Sequence, residues 1–135
     1  MQSVSKVRVL IIDDFDMTRA LLKVILRSDE FDLVGEAENG VDGLSLFQKL
    51  RPDIVLLDLF MPGMSGLEVL KRIRQLDKRV LVLMVTGANE ESFIQDAISL
   101  GADAFVVKPF NSSSVLETMD HARKTFILRS AATFR

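Results

Sequence analysis

The 135-residue chain has no cysteine and a single histidine, His121. Disulfides, thiolate zinc sites and a thiol nucleophile are therefore excluded, and so is any multi-histidine metal site. No apolar run approaches the roughly 18–20 residues that span a bilayer. The N-terminal apolar run is short and ends on carboxylates, unlike a secretory signal peptide, so the expectation is a cytoplasmic chain with no membrane partner. Charge of one sign is also missing. Against 17 Lys and Arg stand 19 Asp and Glu, a net charge of −2 that gives no general pull toward nucleic acid. Glycine-rich phosphate cradles are absent too: there is no G-x-G-x-x-G after the first apolar segment and no GxxxxGK(S/T) anywhere, which argues against nucleotide and flavin binding.

What remains is the composition of one globular domain, 48% hydrophobic and 27% charged. Residues 1–135 are expected to form that single domain, with a core at about 7–126 and a tail or the start of a linker at 127–135. Val7 to Ile12 is a short, β-branched apolar run that reads as a buried strand. Asp16 is placed to cap a helix carrying Met17, Ala20, Leu21, Val24, Ile25 and Leu26. A weaker strand is expected at Leu33 to Ala37, then a helix bearing Val41, Leu44, Phe47 and Leu50 that stops before Pro52. The alternation repeats with a strand at Ile54 to Leu57, the loop LFMPGMSG, and a helix with Leu67, Val69, Leu70 and Ile73. Val80 to Val85 is a fourth strand, followed by a helix capped by Asn89 and closed by Gly101. Ala104 to Val107 is the fifth, with a last helix from about Ser112 to Phe126.

Strands apolar on both faces belong in a parallel sheet covered by helices on each side. Right-handed crossovers then favour a flavodoxin-like doubly wound α/β sheet of five strands in order 2-1-3-4-5, with five helices. Ligands of such sheets bind beyond the carboxyl ends of the strands. The residues at those ends are Asp13 and Asp14, Asp58, Thr86 and Lys108. Two carboxylates about 4 Å apart repel by on the order of 4 kcal/mol at an effective dielectric near 20, so Lys108 alone is insufficient compensation. Oxygen-only ligands with room for water suit Mg²⁺, or Mn²⁺ as a substitute. With a hydroxyl and an ammonium alongside, the set is a clamp for a phosphoryl group, and Asp58 is a carboxylate nucleophile in position to receive it.

The set Asp13-Asp14, Asp58 followed by LFMPGMSG, Thr86-Gly87 and Lys108-Pro109-Phe110 resembles the receiver domain of two-component response regulators, in particular the chemotaxis-regulator kind. The successive spacings match, 44 residues from Asp14 to Asp58, 28 more to Thr86 and 22 more to Lys108, and the likeness covers about Val7 to Phe126. The resemblance implies that Asp58 is phosphorylated from a phosphohistidine on a sensor histidine kinase or histidine phosphotransfer protein. It implies Mg²⁺ held by Asp14, Asp58 and the backbone carbonyl of Phe60, with Asp13 acting through water. Lys108 and Thr86 would bind phosphoryl oxygens, helped by the backbone N–H groups of Leu59, Phe60 and Gly87. It further implies a cis peptide at Lys108-Pro109, and a switch in which Thr86 moves and Phe105 turns inward, changing a partner-binding surface on the last two helices and strand five. Phe105 lacks the tyrosine hydroxyl that many receivers carry. Phe60 is bulkier than usual two residues after the acceptor, and Gly87 stands where alanine is common.

Two other readings compete. Asp14-Phe15-Asp16-Met17-Thr18 reads DxDxT, similar to the opening motif of haloacid-dehalogenase-type phosphatases, with Asp14 as nucleophile, although their late acidic motif is missing. The third reading is a receiver-shaped interaction module that is never phosphorylated. Met61 and Met64 are expected to pack in their loop, and His121 to lie on a helix surface. From His121 onward there are four Lys or Arg and no acid, with Phe126, Ile127, Leu128 and Phe134 among them. Such an end is open to packing back, to homodimerisation or to continuing into an output domain. No enzymatic turnover of a metabolite is expected.

Overall fold

The computed structural model describes residues 6–87 and 91–132. Five strands alternate with five helices: β1 (Val7–Ile12), α1 (Asp16–Ile25), β2 (Phe31–Ala37), α2 (Gly40–Leu50), β3 (Ile54–Asp58), α3 (Gly66–Leu76), β4 (Leu81–Gly87), α4 (Glu91–Ser99), β5 (Ala104–Lys108) and α5 (Ser112–Ala132). The strands form one parallel sheet in the order β2-β1-β3-β4-β5, the flavodoxin-like arrangement that the alternating apolar runs predict.

Burial explains the unbroken apolar runs. All five residues of β3 are buried, because helices cover both faces of the sheet. One layer joins Val9, Ile11, Ile54, Leu56 and Leu83 to Leu22 and Ile25 of α1 and to Val115 and Met119 of α5. The other joins Leu10, Ile12, Val55, Leu57 and Met84 to α2, α3 and Ala97 of α4. Each fully buried Leu, Ile or Val side chain contributes about 1.5–3 kcal/mol. Buried central strands fix the register, and the register fixes which residues reach the carboxyl edge.

Several boundaries differ from expectation. Asp16 is not the cap of α1. The cap position is Phe15, whose side chain makes no capping bond, while its N–H donates to Asp13 Oδ1 at 2.9 Å. Asp16 is the first helical residue, favourable there for a carboxylate, and pairs with Arg19. β2 begins at Phe31 rather than Leu33, and β5 includes Lys108. The last helix runs to Ala132, past Phe126, with Arg129 holding its end by an ion pair to Asp103 at 3.0 Å. The cap assigned to Asn89 lies outside the described residues. Gly101 does close α4, at φ +104°, and Lys108-Pro109 is cis as expected. His121 is exposed, Met61 buried and Met64 half-buried.

Candidate functional site

Among the described residues, three polar side chains are buried: Asp13, Asp58 and Thr86. All three stand at the carboxyl edge of neighbouring strands, β1, β3 and β4. A folded chain does not sequester carboxylates at random, since burial costs each several kcal/mol unless partners offset it. Their concentration at one edge marks the site.

One oxygen from each of Asp13, Asp14 and Asp58 lies within 4.8 Å of the others, with Asp14 the exposed member. Lys108 Nζ approaches from the end of β5, 3.6 Å from Asp58 Oδ1 and 3.8 Å from Asp13 Oδ2. Burial, and then the neighbouring charge of Asp13, push the Asp58 carboxyl up to about 7, against the opposing pull of Lys108. Burial raises Asp13 as well, opposed by the Phe15 N–H and Lys108. Asp13 Oδ2 is buried and accepts no hydrogen bond from the described residues. A buried oxygen that accepts no hydrogen bond and has only the distant Lys108 ammonium to offset it, beside two more carboxylates, fits a hard divalent ion such as Mg²⁺ or Mn²⁺.

Thr86 precedes the last residue of β4, and its Oγ1 donates to the Gly87 carbonyl at 3.4 Å. Gly87 is in register with Lys108, which places both at the same level of the edge. The Leu59 N–H, expected among the phosphoryl donors, instead donates to the Val85 carbonyl at 3.1 Å and is engaged within the sheet. Phe60 is exposed, and its ring stands edge-on to Phe93 of α4, with centroids 4.8 Å apart at 82°. Phe105 is half-buried and packs against the layer formed by α2, α3 and α4.

Sequence reasoning missed two supports. Gly66, the first residue of α3, packs so closely under β3 that an added Cβ would lie 2.0 Å from the Asp58 carbonyl oxygen. The glycine-bearing loop was visible, but nothing in it told which glycine touches backbone. Arg19 was also missed: it reaches from α1 to the Asp13 carbonyl at 2.6 Å and to Glu36 at 2.9 Å. A lone arginine on a helix carries no sequence signal of that contact.

The chain as a whole is similar to known proteins. A family model for the response regulator receiver domain matches residues 9–120. The chain is 39% identical to the chemotaxis protein CheY of Listeria monocytogenes over 117 residues, covering 87% of this chain and 98% of that one. It is likewise 39% identical to CheY of Bacillus subtilis over 113 residues, covering 84% and 94%. Its fold superposes on the signal receiver domain of a putative Luxo repressor protein from Vibrio parahaemolyticus with a TM-score of 0.87 at 26% identity, covering 95% and 98%.

Proposed function

The chain belongs to the response regulator receiver domain family, and from that premise we propose that Asp58 accepts a phosphoryl group from a phosphohistidine on a sensor histidine kinase or histidine phosphotransfer protein. Receivers are signalling domains that bind Mg²⁺ in an acidic pocket, are phosphorylated on aspartate and interact with histidine kinases and downstream effectors. The observation that carries the assignment is the burial of Asp58 within reach of both Lys108 and the paired acids. An Asp58 oxygen forms the new O–P bond while the P–N bond to the donor imidazole breaks. The departing nitrogen keeps the bonding pair and takes a proton from solvent. Lys108 faces the attacking oxygen and pairs with the arriving phosphoryl group, with the Thr86 hydroxyl and the Phe60 and Gly87 N–H groups as further donors. Mg²⁺, or Mn²⁺ in its place, held by Asp14, Asp58, the Phe60 carbonyl and Asp13 through water, would neutralise charge on the phosphoryl oxygens when bound.

Phosphorylation adds about −1.5 to −2 charge and strong acceptor oxygens. Thr86 is drawn to them, and Phe105 fills the space it leaves, biasing a two-state surface. The apolar side chains of Phe93, Ile98, Val107 and Leu116 are exposed on α4, β5 and α5, which supports that face as the effector-binding one.

The phosphodonor needs a different seat, one that borders Asp58. α1 exposes Met17, Leu21 and Val24, which together with Ala20 follow the i, i+3, i+4, i+7 spacing of a helix-binding stripe. They line a groove of about 520 Å³ whose other wall is Lys108, Pro109 and Phe110. Since Lys108 lies in both the groove and the acid pocket, a helix of the donor seated there holds its phosphohistidine at the acceptor. Leu21→Asp is expected to slow phosphotransfer from the protein donor by at least about tenfold, a loss of ~1.4 kcal/mol, while leaving uptake from acetyl phosphate unchanged. Equal slowing with both donors would remove the groove from the account.

The phosphatase reading fits poorly. Its second acid, Asp16, is exposed and paired with Arg19 rather than turned into the pocket. Intact-mass measurement after incubation with acetyl phosphate and Mg²⁺ is expected to show a gain of one phosphoryl group in the wild type and none in Asp58→Asn. The same gain in Asp58→Asn, a stable adduct on Asp14, or turnover of phosphate monoesters would overturn the assignment. No gain in the wild type would favour an unphosphorylated module.

A further inference from the structure

We propose that Arg19 is a positioning residue for the metal-holding acids, and that an irregularity in β2 is what brings it to bear. The inference rests on the phosphoacceptor reading of the pocket. β1 and β2 pair in step from Val7↔Phe31 to Val9↔Leu33, then the register slips so that Leu10 faces Gly35 and Ile11 faces Glu36. Val34 is the additional residue. Without the slip, Glu36 would sit opposite Ile12 and point into the layer formed by α2 and α3. With it, Glu36 shares the side of Ile11, the α1 side. Bulges beside functional sites commonly re-aim a side chain in this way.

Glu36 there meets two cations of α1, Arg19 at 2.9 Å and Lys23 at 2.7 Å. Lys23 foremost, and Arg19 with it, hold the Glu36 carboxyl below its usual range. The Arg19 side chain is only 12% exposed and each of its three nitrogens donates a bond: Nε to Glu36, Nη1 to the Asp13 carbonyl at 2.6 Å, Nη2 to Asp16. Asp13 is further tied to β2, its N–H donating to the Ala37 carbonyl at 3.0 Å. The turn that presents Asp13 and Asp14 is thus clamped from α1 and from the end of β2. Planar forks hold two acceptors in a geometry that an ammonium cannot reproduce.

Two effects of removing Arg19 oppose each other. Loss of a cation near three carboxylates strengthens Mg²⁺ binding, whereas release of the turn weakens it. Glu36 and Asp16 already neutralise much of the Arg19 charge, so the positional effect wins. Titration calorimetry with Mg²⁺ is expected to show about tenfold weaker binding in Arg19→Gln, the size seen when groups orienting metal ligands are lost. Arg19→Lys keeps the charge, spares the fold if the Gln variant melts, and is expected to bind severalfold more weakly than wild type. Wild-type or tighter affinity in either folded variant overturns the inference alone. A wild-type protein that binds no Mg²⁺ overturns the phosphoacceptor reading, and this inference with it.

Discussion

Gly66→Ala is expected to lower the stability of the domain by about 3 kcal/mol, near the upper end for overpacking, and to abolish phosphoryl uptake in the fraction that still folds. The new methyl would sit 2.0 Å from the Asp58 carbonyl oxygen and 2.8 Å from Leu59 Cα, both of them backbone atoms. No side-chain rotation relieves that overlap. Either the end of β3 or the start of α3 must move, and the bond from the Gly66 N–H to the Leu59 carbonyl (2.9 Å) moves with it. Ser65 caps α3 by accepting the Glu68 N–H at 3.2 Å, so the helix start has little freedom to retreat. Gly63, three residues earlier, is the control. It adopts φ +78° but has open space where a Cβ would be. Gly63→Ala should therefore cost only the left-handed backbone strain, about 1–2 kcal/mol, and leave Asp58 phosphorylatable. Urea unfolding and intact-mass measurement on both variants test the pair. A Gly66→Ala protein within about 0.5 kcal/mol of wild type, the range of inert surface changes, would show that α3 is free to shift.

Gly66 also shows where sequence reading stopped. The three central strands were legible because burial on both faces demands uninterrupted apolar runs, as Ile54 to Leu57 shows, and β5 by its short run Ala104 to Val107, whereas the largely half-buried β2 gave the weaker signal. Asp13, Asp14, Asp58, Thr86 and Lys108 were legible because each follows such a run, so the topology alone carries them to one edge. Contacts across the sheet were not legible. The slip at Val34 follows no turn residue, and Glu36 reads as an ordinary solvent-facing strand acid until its neighbour on α1 is known. Asp16 was misread for a related reason. Acids cap helices often enough to suggest it, but here Asp13 Oδ1 satisfies the Phe15 N–H, and the cap position falls to a residue with no capping group. The end of α5 was placed too early because apolar Ile127 and Leu128 gave no clear face, while the ion pair that holds it, Arg129 to Asp103, joins residues far apart in sequence.

The metal-free domain is expected to lose stability as pH rises from about 4 to about 7, opposite to the usual behaviour of a paired acid. The folded Asp58 carboxyl stands at about 7 and its ordinary value is 3.8, with burial the first cause and Asp13 the second. Between those values the native state binds more protons than the unfolded chain, so the slope of unfolding free energy against pH is negative. The effect saturates above about 8 and amounts to on the order of 4 kcal/mol for a carboxyl raised from 3.8 to about 7. Glu36 runs the other way, since its lowered pKa takes stability away as pH falls through the acid range. The difference between wild type and Asp58→Asn at each pH isolates the Asp58 contribution. Asp58→Asn keeps the shape, removes the charge, and should be the more stable protein at pH 8 and nearly equal to wild type at pH 4. Mg²⁺ at about a hundred times its dissociation constant should return ~2.7 kcal/mol to the wild type and much less to Asp58→Asn. Chemical denaturation across pH with and without Mg²⁺ measures both. A metal-free wild type that is as stable as Asp58→Asn at pH 8 would mean that Lys108 already compensates the buried acids, leaving the pocket no electrostatic need for a divalent ion.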